Sequence, residues 1–495
     1  MRKFARRAFL VGAGGVAGWV AAQRFGTKQP VQTGANRIVS VSGEGVLNDA
    51  SGLSATPVHK HITIVKDPGD VLVQAVRAEM RSAQQQGRAF NIGAARHSMG
   101  GQAIPRDGLA VTFQNASVEP DRDAGVYRAH AGARWSDVIA ALDPIGYSPK
   151  VMQSNNDFGV AATYSVNAHG WPVPFGPMGA TVRSLRMILP SGELVTCSRT
   201  ENADLFGLAM GGYGLIGAIL DLDVEMERNA RLYPLYEVMP ADEFSKAFEL
   251  ALADPEVTMA YGRLNVARAA FFEEALLVTY RKTDDQQNLP PAGGSGWMSH
   301  VASRIYRAQL GSEPMKDFRW WNETVVGPSL STGDVTRNSL MNEPVVTLDD
   351  RDPDRTDILH EYFIGFDRFN DFLTACREVI PASYQEFLNV TLRYVATDKE
   401  STLSYAPVPR IAAVMSFSQE MTARAEADMA RMTEALIDRI VAIDGSYYLP
   451  YRPHARVDQL VSAYPRALEF AAEKRRLDPD LVLRNNFWDS YLSKL

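Results

Sequence analysis

Between residues 60 and 131 the hydrophobic pattern changes period several times. Ile62-Thr63-Ile64-Val65 is strand-like, and Asp67-Pro68-Gly69-Asp70 reads as a turn and helix start. Leu72, Ala75, Val76, Met80 and Ala83 then recur at helical spacing until Gly87, which predicts a helix over 71–86. A short apolar run, Ala89 to Ile92, predicts a second strand, and Leu109–Phe113 and Val126–Ala131 alternate as strands do. Past Glu227 the character changes. Tyr233–Met239 is strand-like, and 242–254 is an amphipathic helix carrying Phe244, Phe248, Leu250 and Leu252. Strands at Val257–Leu264 and Ala275–Arg281, a polar loop at 283–296 and a helix at 297–310 follow. Three later runs, 357–365, 388–394 and 412–419, read as strands. Residues two apart on a strand share a face, so His360 and Tyr362 are expected to point together and Glu361 away. The aromatic run Phe318-Arg319-Trp320-Trp321 fits a pocket wall, a membrane-facing patch or core packing. Strands and helices in this order predict an α+β protein.

Length makes two or three domains the prior, because 495 residues exceed one ordinary core. Composition is that of a globular chain, with 46% hydrophobic and 22% charged residues. Formal net charge is -7, although the first 26 residues hold Arg2, Lys3, Arg6, Arg7 and Arg24 and no acid. The remainder is therefore more acidic still, which argues against a nucleic-acid surface. Cys197 and Cys376 give neither a metal-binding spacing nor a disulfide framework.

The basic start, followed by an apolar run from Phe9 to Ala22, has the length of a signal-peptide core rather than a membrane span. Phe9-Leu10-Val11 followed by Gly12-Ala13-Gly14-Gly15-Val16-Ala17 also fits a dinucleotide-binding fingerprint. That reading requires an acid about 20 residues later, and none occurs before Glu44. Arg6-Arg7-Ala8-Phe9-Leu10 resembles the twin-arginine export signal of bacteria. That resemblance implies delivery by the twin-arginine translocase to the periplasm or another extracytoplasmic space. Val20-Ala21-Ala22 is a weak cleavage site, and a retained membrane anchor stays open.

Ile92-Gly93-Ala94-Ala95-Arg96-His97-Ser98-Met99-Gly100-Gly101-Gln102 is the first candidate for chemistry. Small residues let a backbone turn tightly and present successive N–H groups to an anion. The loop by itself fits a diphosphate site whose His97 reaches the isoalloxazine of a flavin. It equally fits a surface turn with a solvated histidine.

A longer ordered series decides between these. It runs Ser165-Val166-Asn167-Ala168-His169-Gly170, then Phe175-Gly176-Pro177-Met178-Gly179, Val182-Arg183-Ser184-Leu185 and Leu189-Pro190-Ser191-Gly192-Glu193. Ala203-Asp204-Leu205-Phe206 and Gly211-Gly212-Tyr213-Gly214-Leu215-Ile216-Gly217-Ala218-Ile219 complete it. Gly212-x-Gly214-x-x-Gly217 leads into the alternating stretch 218–224, a strand and not a helix, so it is not a Rossmann loop. The series resembles the FAD domain of the vanillyl-alcohol oxidase superfamily with a PCMH-type fold. The similarity is greatest to the branch of alditol oxidase, sugar-lactone oxidases and decaprenylphosphoryl-ribose oxidase.

The resemblance implies an α+β fold with a signal segment at 1–26, a linker at 27–57 and a two-part FAD domain at 58–227. It further implies a substrate or cap domain at 228–446 and a segment, 447–495, that returns to the FAD domain. It places the FAD diphosphate on Gly93, Ala94, Ala95, Arg96, His97 and Ser98, with covalent attachment through His97. Ser165, His169 and Gly170 form a second wall, and Ile219 and Tyr448 also face the cofactor. No cysteine lies between Ser165 and Gly179 to make a second tether. On the strand 388–394 the relatives' Glu-x-Arg pair is matched at Arg393, but Thr391 stands at the glutamate position. The stretch Tyr447 to His454 resembles a strand that carries a lysine in relatives, and none is present here. Tyr362, Tyr451 and His454 are then the candidate proton acceptors or hydroxyl partners. Ser416 and Ser418 are candidate hydroxyl binders, and Lys474-Arg475-Arg476 reads mostly as a solvated helix face.

The implied activity is hydride transfer from an alcohol carbon of a polyol, sugar, sugar lactone or similar small hydroxylated substrate to flavin N5. Oxygen, a quinone or another acceptor reoxidises the flavin. Two alternatives remain: a flavin-dependent double-bond reductase of the sterol-reductase type, and an exported binding protein without catalysis. The oligomeric state is not legible.

Overall fold

The computed structural model describes residues 36–65, 69–114, 116–294, 297–330, 334–344 and 352–495. The expected export segment, 1–26, lies outside these residues, as does the first part of the 27–57 arm. Among the described residues no helix is long and apolar enough to cross a membrane.

Among the described residues a two-stranded ribbon, Val46–Leu47 with Thr56–Pro57, precedes three larger sheets in a mixed α/β arrangement. The first holds β1 (Lys60–Ile64), β2 (Phe90–Ile92) and β3 (Leu109–Phe113) as parallel strands in the order β1-β3-β2. Parallel strands need crossover connections, and α1 (Asp70–Gln85) lies in the one that leads from β1 to β2 on the two sides of β3. Its Leu72, Val73, Val76, Met80 and Ala83 are buried along one face, the periodicity that predicted the helix.

The second sheet is antiparallel and contains β4 (Val118–Asp121), β5 (Val126–His130), β6 (Tyr147–Pro149), β7 (Val182–Ile188), β8 (Leu194–Ser198) and β9 (Ala218–Arg228). Its order is β8-β7-β9-β5-β4, with β6 pairing the far end of β9. Gly217 therefore opens a strand, and the glycine series before it does not open a dinucleotide-binding helix.

The third sheet has eight strands. Its named members are β10 (Arg231–Pro240), β11 (Val257–Leu264), β12 (Glu274–Lys282), β13 (Arg355–Ile364), β14 (Glu386–Val395) and β15 (Arg410–Glu420). The order is β10-β12-β11-β14-β15-β13, with the short strands Val335–Thr336 and Ser446–Tyr447 at the two ends. Helices α2 (Phe244–Leu252), α3 (Phe369–Val379) and α4 (Ala423–Val441) cover one face. The other face turns toward the first two sheets. β15 is buried on both faces for most of its length, which is why its apolar run shows so little alternation.

The chain end returns to the first sheet. Phe90 donates its N–H to the Val482 carbonyl (2.6 Å), and the Asn485 side chain donates to Asn91 (3.0 Å) and to the Tyr213 carbonyl (2.9 Å). Two expectations for this segment are corrected. Strand structure covers only Ser446–Tyr447, and 448–456 is irregular. Pro450 and Pro453 lack the N–H that a ladder needs, which explains the early end. Lys474 is not on a solvated face. It is fully buried in an ion pair with Asp478, and burial lowers its pKa to about 8.

Candidate active site

A cavity of about 660 Å³ lies where the three sheets meet, within the roughly 300–1,000 Å³ usual for small-molecule sites. Its floor is the loop that follows β2. Gly93, Ala94, Ala95, Arg96, His97 and Ser98 all line it. Gly93 still donates to Val111 (2.8 Å), and Met99 donates to the Pro450 carbonyl (2.7 Å). Between them, the backbone N–H groups of Ala94 through Ser98 have no hydrogen-bond partner among the described residues. Arg96, at φ 56, makes the left-handed turn that exposes them. Its guanidinium is held by Thr112 (3.0 Å) and His61 (3.2 Å), and its buried Nε has no partner. Five successive free donors, in a loop too small-sided to shield them, are the chemistry a diphosphate satisfies. The loop therefore fits the phosphate end of FAD.

The loop's far end is clasped by the returning chain. Gln102 donates to the Leu449 and Tyr451 carbonyls (both 2.8 Å), and Arg452 donates to Met99 O (3.0 Å) and Ser54 (2.9 Å). His97 packs on Phe158 with ring centroids 4.2 Å apart, and its Nε2 is 3.6 Å from Asp157. Burial lowers its pKa, against a smaller raising effect from Asp157, which leaves a neutral imidazole near neutral pH.

Ser165, His169, Ile219 and Tyr448 line the cavity as well. Ser165 Oγ donates back to Ala161 O (2.8 Å), and Tyr448 donates to Val166 O (3.0 Å), so both hydroxyls are engaged in holding the wall. Gly170 does not line the cavity. Its place is steric, since a Cβ there would lie 2.0 Å from the Met152 carbonyl oxygen.

The roof is the open face of the third sheet. β13, β15, β14 and β11 place Glu361, Val414, Thr391 and Arg263 in one cross-strand row. Two residues along each strand, and so on the same face, stand Leu359, Ser416, Asn389 and, in the other direction along β14, Arg393. Glu361 is 4% exposed. It is hydrogen-bonded to His169 Nε2 through Oε1 and accepts from the Tyr451 hydroxyl through Oε2 (3.1 Å). Burial first, and the Glu361 carboxylate second, push the Tyr451 phenol well above its usual range. Tyr451 is thus a proton donor here and not an acceptor. The Arg393 side chain makes no hydrogen bond among the described residues, and burial lowers its pKa.

Two expected site residues lie elsewhere. Tyr362 and His360 do point together, but toward α4, on the face of the sheet away from the cavity. The Tyr362 hydroxyl is 3.2 Å from His360 Nδ1, and His360 Nε2 is 3.1 Å from Thr433. Glu361, expected to point away, is the residue that faces the site. The alternation was read correctly and the wrong face assigned, because helices bury one side and the cavity encloses the other. His454 is also behind the sheet, on Glu426 (2.8 Å) and near Thr433 (3.3 Å). Ser416 lines the cavity and meets the Tyr306 hydroxyl (2.6 Å), whereas Ser418 accepts from Arg355 (2.9 Å) outside it. In the aromatic run it is Arg319 that reaches the cavity wall; Trp320 donates to Glu274 (2.7 Å) and Trp321 is exposed. Sequence reasoning missed Glu361 and Arg263. Their cross-strand row becomes visible only once strand order and register are known.

The cluster behind the sheet has its own consequence. Burial, with His454 next, lowers His360 to about 3 from an ordinary value near 6.5. Burial alone would raise Glu426, but the hydrogen bond from His454 and the charge of Arg452 hold it well below the usual carboxylate range. An unfolded chain takes up the histidine proton near pH 6.5, while the fold refuses it until about pH 3. Stability from this group is therefore complete above about pH 6.5 and falls as pH drops toward 3, with Glu426 adding to the loss below about pH 4.5. A thermal-melting series is expected to show the midpoint falling steadily between about pH 7 and pH 4.

Comparison with known proteins agrees with the floor of the cavity. Residues 72–198 match the family model described as FAD binding domain. An uncharacterised oxidoreductase, ORF5 in the fasciation locus of Rhodococcoides fascians, is 29% identical over 164 residues, 32% of this chain and 37% of that protein. Cytokinin dehydrogenase 1 of Oryza sativa subsp. japonica is 30% identical over 169 residues, 32% of this chain and 31% of its own length. Cytokinin dehydrogenase 6 of the same plant is 30% identical over 192 residues, 39% of this chain and 34% of its own length. The chain thus spans about a third of the length of each of these relatives. Residues 72–198 are thus similar to an FAD-binding domain, and over part of its length the chain is similar to an oxidoreductase and to cytokinin dehydrogenases.

Proposed function

We propose that this chain oxidises an alcohol carbon of a polyol, sugar, sugar lactone or similar hydroxylated substrate, with Glu361 accepting the hydroxyl proton. The observation that carries the proposal is the placement of Glu361. A buried carboxylate, steadied by His169 from the FAD domain and Tyr451 from the returning chain, opens onto the cavity beside an arginine whose side chain makes no hydrogen bond among the described residues. Relatives carry a glutamate where Thr391 stands, and here a carboxylate from the strand two places away faces the same cavity. FAD held on the 93–98 loop supplies a two-electron acceptor for the hydride of the carbinol C–H. Glu361 takes the O–H proton, so that a C–H and an O–H are exchanged for a C=O bond. Arg393 holds the substrate oxygen, and Tyr451 orients the carboxylate by donating to its second oxygen. Enclosure by the cap sheet keeps water from the reacting carbon.

The similarity to cytokinin dehydrogenases favours a second reading, in which the substrate is of the cytokinin class. Mixing the oxidised protein anaerobically with polyols, sugar lactones, cytokinins and NADPH separates the readings. Bleaching of the flavin by hydroxylated compounds is expected. Bleaching by cytokinins alone, or by NADPH with no alcohol effective, overturns the alcohol assignment.

Covalent attachment through His97 and twin-arginine export belong to the same proposal. His97→Ala is expected to leave the protein folded and yellow but to release its flavin on acid precipitation, whereas the unaltered protein keeps the colour on the pellet. Release from both proteins would overturn the tether and leave the oxidoreductase reading in place.

A further inference from the structure

We infer that the substrate is a hydroxylated acid, whose carboxylate is held by Arg263 and Arg393 while one of its carbinols faces Glu361. The inference rests on the reading of this cavity as the substrate site and adds the substrate's charge.

The cap side of the cavity carries three arginines, and their partners differ. Arg319 is closed off by Glu323 (2.8 Å), the Leu388 carbonyl and Asn389 (2.8 Å). Arg263 has one hydrogen bond, to the Thr391 hydroxyl, and lies 5.3 Å from the centre of the Tyr261 ring. Arg393 has none among the described residues, and neither it nor Arg263 has a carboxylate within ion-pair distance there. Glu361 is the acid whose field reaches Arg393, and both of its oxygens are already engaged by His169 and Tyr451.

The sheet fixes how the two cations sit. Arg263 pairs across the strands with Thr391, and Arg393 follows two residues later on the same face of β14. Diagonal neighbours of this kind have backbones roughly 7–8 Å apart, close enough for two long side chains to converge on one group. Burial lowers the pKa of Arg393, and the charge of Arg263 adds to the effect. Two half-buried guanidiniums facing one cavity are costly unless an anion joins them. A carboxylate matches the fork of a guanidinium with two parallel hydrogen bonds, which a neutral hydroxyl cannot do. Asn389 and the Ser416–Tyr306 hydroxyl pair stand one row further along and are suited to hydroxyls on the same carbon chain.

Gluconate and sorbitol share six carbons and a run of hydroxyls and differ in having a carboxylate or a carbinol at one end, so they isolate the charge. Calorimetric titration of the oxidised flavoprotein at low ionic strength is expected to give gluconate an affinity about tenfold or more above that of sorbitol. Added salt reduces this advantage, and Arg263→Gln is expected to bring the gluconate-to-sorbitol affinity ratio close to one. Arg263→Lys keeps the charge without the fork and is expected to keep part of the preference. Equal affinities, tighter sorbitol, or no binding of gluconate overturns the inference. Anaerobic bleaching by neutral polyols in that event would leave the alcohol reading intact, so the two fail separately.

Discussion

Replacing Glu361 with glutamine is expected to lower the rate of substrate-dependent flavin reduction by about 10²–10⁴-fold, the usual contribution of a positioned general base. Glutamine has nearly the same shape, and its amide oxygen still accepts from Tyr451. The cavity, the 93–98 loop and the FAD content should therefore be unchanged. What is lost is the group able to take the hydroxyl proton. No other candidate can replace it from the present geometry. Tyr451 is held protonated by burial and by Glu361 itself, while Tyr362 and His454 are on the far side of the sheet. The measurement is the anaerobic reduction rate of the two proteins at matched flavin concentration. A variant with more than about a third of the original rate would place the base elsewhere.

Gly170→Ala is expected to be the most damaging glycine-to-alanine substitution among the described residues. The added Cβ would lie 2.0 Å from the Met152 carbonyl oxygen and 3.0 Å from Pro172 Cδ, and the first contact is to backbone. Relief requires moving the wall that contains His169, and with it the contact between His169 and Glu361. Overpacking of this kind costs about 1–3 kcal/mol or more. Low yield of folded protein, or a lowered melting midpoint with weakened flavin reduction, is the expected result. Gly293→Ala is the control, because its nearest neighbour is the Ser339 hydroxyl at 3.7 Å and little change should follow.

The sequence showed where the cofactor half lies more clearly than how the substrate half works. Periodicity located α1, which buries one face, and short apolar runs located β3 and the strand after Gly217, although both strands are buried on both faces over much of their length. The loop Gly93–Ser98 was ambiguous by itself and became legible through the motif series from Ser165 to Ile219, while its five open donors became visible only in the structure. On β13 both faces are buried, so hydrophobicity carried no sign of which side met the cavity. His360, with its hydrogen-bonding ring, looked functional and proved to be a satisfied core histidine. Glu361 was expected to point away from the site and proved to face it. Arg263 was not legible at all, because its partnership with Thr391 and Arg393 depends on the antiparallel pairing of β11 with β14, elements separated by more than a hundred residues. The irregular stretch after Tyr447 followed from its prolines, yet resemblance had suggested a strand.

The claim on which the rest depends is that the cavity above the 93–98 loop holds FAD. The flavin content of the purified protein tests it most directly, read as flavin absorbance against protein concentration before and after incubation with added FAD. One flavin per chain is the predicted result. Protein that is colourless on isolation and takes up no FAD when it is supplied would contradict the account.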